Sequence, residues 1–229
     1  MADRALDGAS IVVTGATGGI GRQIARQFAD LGARLTLTAR NQGALEAIGI
    51  DATVVVADLR DSHAGTAIVN AALTANGRLD GLVNAAGIVA FGSLIETDDV
   101  VIEELFLTNV LGPLWLIRAA LPALTESHGF IANISAVVAE QPLPGMVAYA
   151  ASKAALTAAD RALTRELRKA GVTVTDARPP HTETGLADRP IAGVAPRLRP
   201  GLEPSAVARR IVAAIQAGER EVPADAFGA

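Results

Sequence analysis

Short runs of aliphatic and β-branched residues alternate with amphipathic stretches along almost the whole chain. The runs SIVVT (10–14), RLTLTA (34–39), TVVVAD (53–58), LDGLVNA (79–85), GFIANIS (129–135) and VTVTDA (172–177) have the length and side chains of buried strands. Between them the spacing turns helical. From Gly19 to Leu31 the residues Ile20, Ile24, Phe28 and Leu31 fall on one helix face. Further helices are predicted over about 62–76, 99–124, 148–170 and 204–217. Strands separated by helices pair in parallel, because a right-handed crossover needs a helix to return the chain to the same end of the sheet. The pattern therefore predicts an α/β fold, a doubly wound parallel sheet with helices on both faces, in one domain spanning 1–229. The segment 179–204 departs from this rhythm. It is rich in Pro and Gly, has no sustained period and exceeds an ordinary connection, so it is expected to form a substrate lid.

Composition narrows the reading. Half the residues are hydrophobic but only 3% are aromatic, so Ala, Val, Leu and Ile must fill the core. A net charge of −4 without any basic run excludes a nucleic-acid surface. The apolar stretches near 111–117 and 131–138 stop short of the ~20 residues a membrane span needs, so no membrane partner is expected. The N-terminal MADRALDGAS has no apolar signal core, and the chain has no cysteine; both fit a cytoplasmic location. Three scattered histidines, His63, His128 and His181, predict no metal centre.

The first strand runs into TGATGGIG, Thr14 to Gly21, and then a helix. Glycines here allow a sharp turn and close approach to a pyrophosphate, which the free N–H groups of the helix start would bind. Thr14, Gly15, Thr17, Gly19, Ile20 and Gly21 are the candidate contacts of this loop. A packing glycine turn is the alternative. The second strand ends in Ala39 and Arg40, where an acidic residue would bind the ribose hydroxyls of NAD. A guanidinium suits a 2′-phosphate, so NADP(H) is expected rather than NAD(H).

Tyr149 and Lys153 lie four residues apart at a predicted helix start and so share a face. A phenol titrates near pH ~10, and an adjacent ammonium would help it serve as an acid-base group at neutral pH. Tyr149 is the only tyrosine in the chain.

The order of these motifs resembles the short-chain dehydrogenase/reductase family, in its single-domain, shorter-subunit branch. The resemblance rests on TGATGGIG after the first strand, ADL (57–59) after the third, NAAG (84–87) after the fourth, Asn109, Ser135 after the fifth and YAASK (149–153). It implies a Rossmann-type fold and hydride transfer between a nicotinamide and a carbonyl or alcohol. It further implies adenine contacts from Asp58 and Leu59, a cofactor-lining role for Asn84, Ala85 and Gly87, and a relay water held by Asn109. Lys153 would also grip the nicotinamide ribose. RPPHTET (178–184) resembles the segment that meets the nicotinamide, through Pro179, Thr182 and Thr184, although Pro180 stands where the family has glycine. A homodimer is implied by analogy, with a tetramer as the alternative. The family's substrate-orienting serine commonly lies thirteen positions before the tyrosine, and that position here is Ala136. Either the intervening loop carries one extra residue and Ser135 fills the slot, or the hydroxyl is missing there; the first is the expectation. Phe91, Val138, Leu143, Met146 and Leu186 suggest an apolar substrate pocket, with Glu140, Arg189, Arg197 and Arg199 as candidate polar contacts. A regulatory protein that keeps the fold with little turnover, or an isomerase or dehydratase using the same tyrosine, are the competing functions.

Overall fold

The computed structural model describes residues 4–228; Met1–Asp3 and Ala229, at the ends of the expected domain, lie outside the described residues. Seven parallel strands form one sheet in the order β3-β2-β1-β4-β5-β6-β7. They are β1 (Ser10–Thr14), β2 (Arg34–Ala39), β3 (Ala52–Val56), β4 (Gly81–Asn84), β5 (Phe130–Ile134), β6 (Thr173–Ala177) and the two-residue β7 (Glu221–Val222). Every residue of β1, β4 and β5 is buried, as expected for strands covered on both faces. At the edge, β3 leaves Val54 and Val56 partly exposed. The chain moves outward from β1 through β2 to β3, then returns to the other side of β1 as β4. The crevice at this reversal, beyond the carboxyl ends of β1 and β4, is where open α/β sheets bind ligands.

Helices α1 (Gly19–Asp30) and α7 (Pro204–Ala217) pack together on one face, and α3 (Ala64–Asn76) and α5 (Gly112–Ser127) on the other. Between α1 and α3, the short helix α2 (Gln42–Glu46) had no counterpart in the predicted pattern; Asn41 caps it by accepting from Ala44 N at 2.8 Å. The predicted helix over 99–124 is instead three pieces: α4 (Asp99–Phe106), a π-helical turn at Leu107–Leu111, and α5. Together Asp99–Ser127 is a run of 29 residues long and apolar enough to cross a membrane by composition, which the sequence expectation missed by reading only unbroken apolar stretches. In this fold its inner face, including Leu105, Leu116, Ile117, Ala120 and Leu124, is core. The last long helix before the lid, α6 (Val147–Glu166), follows β5.

Aromatic scarcity makes each ring count. Phe28 of α1 meets Phe130 of β5 with centroids 6.3 Å apart, both fully buried. Gly81 is the register partner of Phe130, and a Cβ there would strike the ring. Replacing Phe28 with Ala should therefore cost about 3–5 kcal/mol of stability, whereas Val56→Ala at the half-exposed edge should cost no more than about 0.5 kcal/mol; urea unfolding of the two variants tests the contrast.

Candidate active site

The turn after β1 is built for close approach. Gly15 has φ of 61°, and a Cβ on it would lie 2.5 Å from Ala86 N, so the glycine loop and the segment after β4 lie against each other. The Thr14 hydroxyl ties the two together by accepting from Ala86 N at 3.3 Å. Helix α1 begins at Gly19 with Gly18 as its cap, no side chain satisfies its first N–H groups, and no acidic residue lies in its first turn. A cavity of about 240 Å³ beside it is lined by Thr17, Gly19, Arg22, Gln23, Thr184, Arg189 and Pro204. Free donors, a helix N-terminus and two guanidinium groups are what a pyrophosphate requires, so these residues fit a dinucleotide. Arg40 is exposed at the end of β2. Asp58 is bound by the Arg60 guanidinium at 2.6 Å, which holds its carboxyl below the usual range, and Arg60 continues to Glu104 at 2.6 Å. Leu59 beside it is buried.

The loop before α6 contains Pro142 and Pro144 and ends at Gly145, whose φ of 75° turns the chain into the helix. Tyr149 then falls in the first turn of α6 and Lys153 one turn later; both are buried. The Lys153 ammonium donates to Ile134 O at 2.9 Å. Gly87 faces it, since a Cβ there would lie 3.3 Å from Nζ. Burial pulls the Lys153 ammonium down to about 8, opposed by Asp176. Burial pushes the Tyr149 phenol above its ordinary value. The expected lowering of Tyr149 by its neighbour is thus not met in this arrangement, because desolvation dominates and the ammonium is turned to Ile134.

Asn109 sits in the π-helical turn, where the widened backbone projects its amide inward. Its Oδ1 accepts from Ile88 N at 3.0 Å, and its Nδ2 donates to Ile88 O at 3.0 Å and Ser152 Oγ at 3.1 Å. Both amide protons are committed, so the side chain clamps Ile88 to Ser152 of α6.

Residues 9–192 match the family model for short chain dehydrogenases. The chain belongs to the short-chain dehydrogenase/reductase family. It is 34% identical over 235 residues to dehydrogenase/reductase SDR family member 7B of Bos taurus, an alignment that covers 93% of this chain and 72% of that one. It is also 32% identical over 211 residues to estradiol 17-beta-dehydrogenase 11 of Homo sapiens, covering 86% and 69%. Among solved structures, a short chain dehydrogenase/reductase from Burkholderia phymatum in complex with NAD superposes with a TM-score of 0.87 at 28% identity, over 96% of this chain and 90% of that one. A short-chain dehydrogenase from Streptomyces avermitilis gives 0.84 at 29%, over 95% and 90%.

Against the family pattern, Ser135 is the clear correction. Its hydroxyl is buried, donates to Asp176 Oδ1 at 2.5 Å and shares a 2.9 Å hydrogen bond with Thr157 Oγ1. Strand alternation puts Ser135 on the same face as Asn133, toward α6, so it is not free to orient a substrate. Ala136, the next residue, leads into the 3₁₀ turn Val137–Ala139 and carries no hydroxyl. Asn84, expected to line the cofactor, is buried: its Nδ2 donates to Asn133 Oδ1 at 2.8 Å, and its Oδ1 has no partner among the described residues. Glu140, expected near the substrate, is paired with Arg178.

Of the segment after β6, Pro179 O accepts from Val137 N at 3.0 Å, and the Thr182 hydroxyl donates to Pro180 O at 2.9 Å. Thr184 covers Gly19, whose Cβ would meet its side chain at 2.6 Å. The segment expected to be a lid then packs over this region, joined to it by Ile191 N to Val89 O at 2.9 Å and Phe91 N to Ala192 O at 3.0 Å. Its Leu186, Ala187 and Ala192 pack with Tyr149, Phe91, Val138 and Met146. Leu143, in contrast, is half exposed. A second cavity of about 700 Å³ lies within the lid, lined by His181, Arg199 and neighbouring lid residues.

Because Tyr149 is the sole tyrosine, its phenolate absorbance can be followed directly. In the cofactor-free protein the midpoint should lie above the free-phenol value of about 10; ultraviolet titration giving a midpoint at or below that value would contradict the desolvated site.

Proposed function

We propose that this protein is an NADP(H)-dependent oxidoreductase that interconverts a carbonyl and an alcohol on a small, mainly apolar molecule. The observation that carries this reading is the buried Tyr149–Lys153 pair on one face of α6, beside a crevice whose α1 N-terminus and arginines suit a dinucleotide. When bound, the nicotinamide supplies or accepts the hydride. Tyr149 donates its proton to the carbonyl oxygen during reduction and recovers one from the alcohol in the reverse direction. Lys153 has three N–H donors and uses one on Ile134 O, leaving two to reach the ribose hydroxyls and to steady the phenolate. Asn109 keeps the 86–88 segment in place behind them.

The preference for NADP(H) rests on this chain's own Ala39 and Arg40, because the absence of a carboxylate there leaves the guanidinium available for a 2′-phosphate. Phe91, Val138, Met146 and Leu186 around Tyr149 support an apolar substrate, and pairing of Glu140 with Arg178 strengthens that reading. A homodimer and a cytoplasmic location are part of the same proposal.

A second reading is favoured by Ser135 and Ala136: a dinucleotide-binding regulator with little turnover. Loss of one oxyanion donor costs on the order of 10²–10³ in rate, which slows the chemistry without preventing it. A panel of aldehydes and ketones with NADPH separates the two, since tight binding without turnover favours the regulator. Product formed without net NADPH consumption would instead indicate an isomerase or dehydratase.

Replacing Tyr149 with Phe should lower turnover roughly 10²–10⁴-fold with NADPH affinity retained in a fluorescence titration. Replacing Arg40 with Ala should weaken NADPH roughly 10–100-fold and leave NADH nearly unchanged; equal losses for both cofactors would remove the phosphate assignment.

A further inference from the structure

Apart from Lys153, the buried polar layer between α6 and the sheet takes no part in the chemistry above. On α6, Lys153, Thr157 and Asp160 follow one another at helical spacing, all buried. Opposite them, Asn133 and Ser135 alternate along β5, with Asp176 and Arg178 on and just after β6. Asn133 Nδ2 donates to Asp160 Oδ1, Thr157 meets Ser135, and Ser135 donates to Asp176. Arg178 binds Asp176 at 2.6 Å and Glu221 at 2.8 Å, and it also pairs with Glu140. Arg161 approaches Glu221 at 3.7 Å.

The charges in this layer do not balance. Burial, and secondarily Asp176, raise the Asp160 carboxyl well above its ordinary range; its Oδ2 has no partner, which a neutral acid tolerates better than a carboxylate. Arg178 alone meets three carboxylates. The most buried of these, Asp176, is tied through Ser135 to the end of β5 and to Thr157 of α6, one turn after Lys153, and Lys153 donates to the carbonyl of Ile134, the residue before Ser135. The buried titratable and charged groups on the elements packed around Lys153 are Tyr149 and Asp160 on α6 and Asp176 and Arg178 on and just after β6. The other neighbours, Ile134 O, Gly87 and Asn109, are uncharged.

We propose that Asp176 is a positioning residue, a buried counter-charge seated by Ser135 and Arg178 that keeps Lys153 protonated in the site. Ser135 thereby serves the reaction from behind the lysine rather than at the substrate. Desolvation alone depresses Lys153, and Asp176 is the group that opposes it. Removing the carboxylate leaves the desolvation uncompensated, so the lysine should lose its proton at lower pH.

The inference rests on the proposed role of Lys153, but its test needs neither cofactor nor substrate. The chain has two lysines, and Lys169 is exposed, so lysine ¹³Cε labelling gives one site signal and one internal reference. Asp176→Asn should lower the Lys153 midpoint by roughly one unit or more and leave Lys169 in place, while Asp160→Asn should leave Lys153 unchanged. The alkaline limb of carbonyl reduction should shift to lower pH with Asp176→Asn. A Lys153 midpoint unmoved by Asp176→Asn, or moved by Asp160→Asn instead, would overturn the proposal. Should Asp176→Asn fail to fold, Ser135→Ala, which removes the hydroxyl that seats Asp176, decides by the same lysine signal: the Lys153 midpoint should fall while Lys169 stays in place, and an unmoved Lys153 midpoint rejects the assignment.

Discussion

Holding a lysine ammonium out of water is the constraint around which this molecule is arranged. An isolated buried charge is costly unless hydrogen-bonded and paired. Here the hydrogen bond comes from a main-chain carbonyl at the end of β5, fixed by the sheet itself. The lysine's position therefore depends on the register of β4, β5 and β6. The same sheet edge sets the glycine turn after β1 and the 86–88 segment, because all four strands end on one side of the molecule.

The apolar cores explain how such a layer is tolerated. Two hydrophobic clusters, one on each face of the sheet, carry most of the burial. Many of the buried polar side chains lie between α6 and strands β5 and β6, where nearly every member finds a partner. Asp160 Oδ2 is without a partner among the described residues, as is Asn84 Oδ1 on the neighbouring β4. A layer with so many shared hydrogen bonds is rigid and fixes the side chains that meet in it.

Much of this was legible in the sequence, and for identifiable reasons. Strand runs of continuous aliphatic residues and helices of regular spacing are strong local signals, so six strands and the main helices lie within a few residues of their expected places. Tyr149 and Lys153 share a helix face because spacing alone dictates it. What spacing did not convey was which way Ser135 points and what meets it. That depends on Asp176, 41 residues downstream and aligned only through strand pairing. Asp176 itself sits in a run that reads simply as strand, and its burial is a tertiary fact. The π-helical turn at 107–111 was likewise hidden, since an added residue in a helix leaves no mark in composition.

The lid adds a different lesson. Its hold on the 88–92 loop is made by main-chain groups, Ile191 N to Val89 O and Phe91 N to Ala192 O, with Gly193 pressed against Phe91 O. A fastening made by peptide groups does not depend on which side chains flank it. Positions such as Leu186, free of that duty, can change while the two segments stay joined in the same way.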